Sequence, residues 1–88
     1  MAEALLQQGL YVAAAEVADA AAEVHEFRET PRRIAIDACL REGEFAEAYV
    51  RFLCYEDLLR REVGVSPSPA IPSMLKAWNS TTFQAGAR

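Results

Sequence analysis

Slid against itself by 34 residues, the chain matches: Leu6-x-x-Gly9-x-Tyr11-x-x-Ala14 lies over Leu40-x-x-Gly43-x-Phe45-x-x-Ala48. An offset of that length is the period of a helical hairpin repeated along a chain, each unit burying its apolar face against the next. The matched residues sit where such a hairpin needs them. Gly makes the tight turn, an aromatic opens the second helix, and Ala lies where two helices cross closely. Ala21 supplies a further small position, but its counterpart is Tyr55, and the first unit has no proline after it until Pro31. With only eight residues before Gly9, the first unit is expected to begin partway through and the chain to be the end of a longer array.

Helical periodicity runs through the rest of the sequence and strand-like alternation does not, so the predicted fold class is all-α. Leu10, Ala14, Val17, Ala21 and Val24 step by three and four along a helix ending near Glu26. Thr30-Pro31 reads as a cap and first residue of a helix reaching Arg41, with Ile34, Ala35, Ala38 and Cys39 on one face and Arg33, Asp37 and Arg41 as exposed ion pairs on another. Phe45, Ala48, Phe52, Tyr55, Leu59 and Val63 mark the longest helix, which ends at Gly64, and Glu47, Glu56 and Asp57 each precede an arginine by four residues. Ser68 and Pro69 start a short last helix carrying Ile71, Met74, Leu75 and Trp78, with Pro72 delaying its regular bonding. The expected division is a helical domain over residues 1–78 and a disordered tail over 79–88.

Composition removes several function classes. Nine basic side chains against 13 acidic ones leave a net charge of −4, and residues 1–26 hold five acids and no Lys or Arg. A chain of this charge is not expected to bind DNA directly. Charges interrupt every apolar stretch, which excludes a membrane-spanning helix, and the absence of a basic leader points to the cytoplasm. Cys39, Cys54 and the lone His25 do not make a zinc site, and both cysteines read as small core residues. No nucleophile and base come together, so no enzyme and no cofactor are expected. Glu42, Glu44 and Glu47 read as acids at a turn and helix start, and His25 as a residue at a helix end.

Two sets of residues resemble known families. The 34-residue repeat resembles the tetratricopeptide unit, which implies antiparallel helix hairpins, about four helices and a short fifth, in an incomplete array. Leu6, Gly9, Tyr11, Ala14, Leu40, Gly43, Phe45, Ala48, Phe52, Tyr55 and Leu59 define its packing. More specifically, Arg28-Glu29-Thr30-Pro31-Arg32-Arg33, Leu40-Arg41-Glu42-Gly43 with Ala46-Glu47-Ala48, and the run from Tyr55 to Val65 closed by Pro67-Ser68-Pro69-Ala70 resemble the C-terminal part of the bacterial transcriptional activator domain. That domain occurs in regulators of the Streptomyces antibiotic regulatory protein type.

The resemblance implies a transcription-regulating interaction module whose winged-helix DNA-binding head is not in this sequence. Its partner is expected to be a protein, either another regulator subunit, a second copy in a homodimer, or the transcription machinery. The alternative is a fragment of a larger activator without independent activity. Tyr49, one step off the core stripe, and Trp78, near the array's end, are the candidate partner contacts.

Overall fold

The computed structural model describes residues 1–86, with side chains described as far as Trp78. Five helices follow one another: α1 (Ala2–Gln7), α2 (Tyr11–Val24), α3 (Glu29–Arg41), α4 (Phe45–Glu62) and α5 (Ala70–Gly86). The described residues contain no strand.

The two matched turns have one geometry. Gln8 and Glu42 close their helices at φ −83° and −87°, both with ψ 0°. Gly9 and Gly43 follow at φ +79° and +80°. Their amides donate to the carbonyls of Leu6 and Leu40, both at 3.1 Å, while the amides of Leu10 and Glu44 reach back to Leu5 (2.9 Å) and Cys39 (2.8 Å). This Schellman closure satisfies carbonyls that the helix end would leave unpaired, and its left-handed residue is unstrained only as glycine. The 34-residue offset is therefore a repeated local structure and not a coincidence of letters.

Helix α3 lies at the centre. Pro31 and every residue from Ile34 to Leu40 are buried, because α1 and α2 cover one side and α4 and α5 the other. Leu6, Ala14 and Ala18 meet Ile34, Ala35 and Ala38 in one cluster. Ile36, Cys39 and Leu40 meet Ala48, Phe52, Tyr55, Leu59, Ile71 and Leu75 in the other. The resulting slab measures 42 × 28 × 17 Å, and its radius of gyration of 13.1 Å exceeds the roughly 12 Å of a rounded domain of this length. Stacked hairpins extend along one axis, which gives this shape.

Several expectations are corrected. On α2 the buried stripe is Ala14, Ala18 and Ala22, while Leu10 and Val24 are exposed. Close approach to α3 selects the row without branched side chains. Thr30 is not the cap of α3: the helix starts at Glu29 after an extended Arg28, with Pro31 in a first turn that needs no amide there. Asp37 is buried and pairs with Arg41 at 3.0 Å, but Arg33 turns away to Glu3 on α1 at 2.9 Å. Arg60 pairs with Asp57 and not with Glu56, and Val63 is exposed beyond the end of α4.

Ser68 does support the start of α5, its Oγ accepting from the Ala70 amide at 3.3 Å while its own amide donates to Glu29 at 2.9 Å. Pro72 falls in the first turn and delays nothing. With no proline or glycine between Ser73 and Ala85, α5 continues to Gly86 through most of the segment expected as a tail; residues 87–88 lie outside the described ones.

Candidate interaction surface

Along its first half, α4 presents two faces. Ala48 and Phe52 are buried against α3. The other face carries Tyr49, Val50 and Leu53, exposed by 54 %, 52 % and 44 %, with Phe45 at the margin. Spaced by one, three and four residues, these large apolar side chains form one patch on the helix rather than scattered surface residues. Phe45, expected in the core, is half out because α5 covers only its Trp78 side, with ring centroids 6.3 Å apart. Trp78 is partly buried against the second core cluster. Tyr49 packs edge-on to Phe52 at 6.4 Å.

Between this part of α4 and the start of α5 lies a cleft of about 400 Å³, lined by Leu40, Phe45, Tyr49, Phe52, Pro72, Leu75 and Lys76. Its floor is Leu40 of α3 and its walls are largely aromatic. Both predicted contact residues belong to this region, Tyr49 in the lining and Trp78 beside it. Sequence reasoning missed Pro72 and Lys76 on the opposite wall and the Val50–Leu53 extension. The signal for the latter was present, since Tyr49 and Leu53 are four residues apart and off the core stripe.

The repeat-defining residues are placed as follows. Leu6, Ala14, Leu40, Ala48, Phe52, Tyr55 and Leu59 are buried, Tyr11 packs against the first cluster, and Gly9 and Gly43 make the turns. Tyr55 is anchored twice, its hydroxyl donating to the Phe27 carbonyl at 2.9 Å and its ring lying under the Arg32 guanidinium at 5.2 Å. Burial pushes its pKa up, Glu29 adds to the effect and Arg32 opposes it.

The remaining polar groups are held locally. Arg51 forks onto Asp19 of α2 with bonds of 2.7 and 3.2 Å, an interaction that raises its pKa. Arg51 Nε lies 3.4 Å from Glu47 without the alignment of a hydrogen bond. Glu42 and Glu44 flank Gly43 as helix-end residues, and the amide of His25 closes α2 on the Ala21 carbonyl. Cys39 is buried and its thiol is pushed up by burial, which suits a neutral packing group and not a nucleophile. Cys54, expected in the core, is exposed on α4. Among the described residues no helix is long and apolar enough to cross a membrane.

Repeated hairpins with Schellman turns around a central buried helix define an all-α protein of the tetratricopeptide-like class. Residues 1–77 match the family model of the bacterial transcriptional activator domain, and the chain belongs to that family. No curated protein matches it, and no solved structure does. The family places the chain in transcription activation.

Proposed function

We propose that the chain serves transcription activation as a protein-contact module, engaging another regulator subunit or the transcription machinery through the α4 face around Tyr49 and the neighbouring Trp78. The observation that carries this reading is the continuous exposure of Phe45, Tyr49, Val50 and Leu53 along one side of α4. Apolar area of this kind becomes favourable only when a partner covers it, at roughly 25 cal/mol per Å² removed from water. Charge supports protein contact over direct DNA contact. The net charge is −4, and Arg33, Arg41, Arg51, Arg60 and Arg61 are each already paired with a carboxylate of the chain.

The test is to tether the chain to an unrelated DNA-binding domain in an actinobacterial reporter strain. Transcription above the level given by the DNA-binding domain alone is expected. Output equal to that level, from a fusion shown to accumulate, would contradict the proposal and favour a fragment without independent activity.

A further inference from the structure

The two halves of the molecule share a turn but differ in the groove beside it. Shifted back by 34 residues, the cleft residues Phe45, Tyr49 and Phe52 become Tyr11, Ala15 and Ala18, and Pro72 becomes Ala38. Those four equivalents lie together in one packed cluster, so α2 closes onto α3 there, and the concavity beside it, lined by Leu10, Tyr11, Val12, Glu16 and Glu42, is more open and carries acids instead of a lysine. On α4 the same positions carry rings, and α4 meets α5 over a much shorter stretch, leaving the cleft of about 400 Å³. Where the first half packs two alanines, this cleft is lined by Tyr49 and Phe52.

Its chemistry is specific. Leu40, Phe52 and Leu75 make a dry floor, Phe45 and Tyr49 offer ring faces and edges, and the volume lies within the range of small-molecule sites. Lys76 is the only charged residue of the lining and the only lysine in the chain, and unlike the five paired arginines it has no carboxylate partner among the described residues. An unpaired cation at the mouth of an apolar, ring-lined cleft selects by charge complementarity.

We infer that the α4–α5 cleft binds a small, flat, apolar organic anion, its rings between Phe45, Tyr49 and Leu75 and its acid group at Lys76. The ligand uses Phe45 and Tyr49, which the proposed partner surface also includes, and the two readings are tested separately.

The probes are anilinonaphthalene sulfonate, an apolar aromatic anion, and the uncharged N-phenylnaphthylamine, titrated into the purified full chain. Trp78 is the sole tryptophan and lies beside Phe45, so its emission reports binding at this place by energy transfer. Expected are saturation at one anion per chain, quenching of Trp78, and weaker binding of the uncharged dye. Lys76→Gln should lower affinity for the anion by about threefold to fivefold and leave the uncharged dye unchanged. Tyr49→Ala, at an exposed position, should weaken both while far-UV circular dichroism stays the same.

Unsaturable binding, equal affinity for the two dyes, or an anion affinity unmoved by Lys76→Gln would overturn the inference. So would dye release with increasing protein concentration alongside faster sedimentation, which would assign the cleft to a second copy. Dye binding by a chain that fails the tethered reporter would refute only the partner reading; an active tethered chain without dye binding would refute only the ligand.

Discussion

Tyr55 is 1 % exposed, and its hydroxyl donates to the Phe27 carbonyl from inside the core. That bond holds the α2–α3 connection onto α4. Tyr55→Phe keeps the ring and removes that bond, so a loss of about 0.5 to 1.5 kcal/mol is expected in urea unfolding. The pH dependence follows from the same burial. The folded chain keeps the Tyr55 proton above the ordinary tyrosine value while the unfolded chain releases it. Stability is therefore full below about pH 10 and falls as pH rises beyond it. Unfolding midpoints measured on both sides of that value should show the fall in the native sequence and a smaller one in Tyr55→Phe. At Gly43 a Cβ would meet nothing within 4 Å, so Gly43→Ala isolates the backbone term of the left-handed turn, about 1 to 2 kcal/mol.

At the level of elements, α2 shows why one part of the fold was legible and another was not. Gly9 and Gly43 announce their turns because the required φ is local and only glycine meets it freely. The buried row of α2 has no such marker: Ala13, Ala14, Ala15, Ala18, Ala20, Ala21 and Ala22 cover several faces, so apolar spacing fits more than one stripe. Contact with α3 decides, and it selects Ala14, Ala18 and Ala22. Ala18, with no exposed surface, has no room for growth, and Ala18→Leu should cost about 1 to 3 kcal/mol, read from chemical denaturation. Ala20→Leu, on the exposed side, should cost little by the same measurement. On α4 the core stripe was readable from ring spacing. The cleft beside it was not, because it depends on how far α5 stands from α4, a distance that no local pattern encodes.

Across the whole molecule, the uneven charge of the sequence becomes a pair of long-range clamps. Glu3 and Asp19, from the segment without any base, reach Arg33 and Arg51 thirty and 32 residues away. Half-exposed pairs of this kind contribute about 1 kcal/mol or less each and are screened by salt. Arg51→Met should therefore lower the unfolding midpoint modestly in dilute buffer, with the difference shrinking at about 1 M salt. The helices before and after α3 in the chain differ in what they show: α4 presents Tyr49 among apolar neighbours, whereas α2 presents Val12 near Glu16.

That difference permits a direct test of the claim that α4 carries the partner contact. Tyr49 and Val12 are almost equally exposed, at 54 % and 58 %. Tyr49→Asp and Val12→Asp should each leave helical content and unfolding nearly unchanged. In the tethered reporter, output lost in Tyr49→Asp and kept in Val12→Asp is the result predicted here. Output kept in Tyr49→Asp, with or without loss in Val12→Asp, would contradict it.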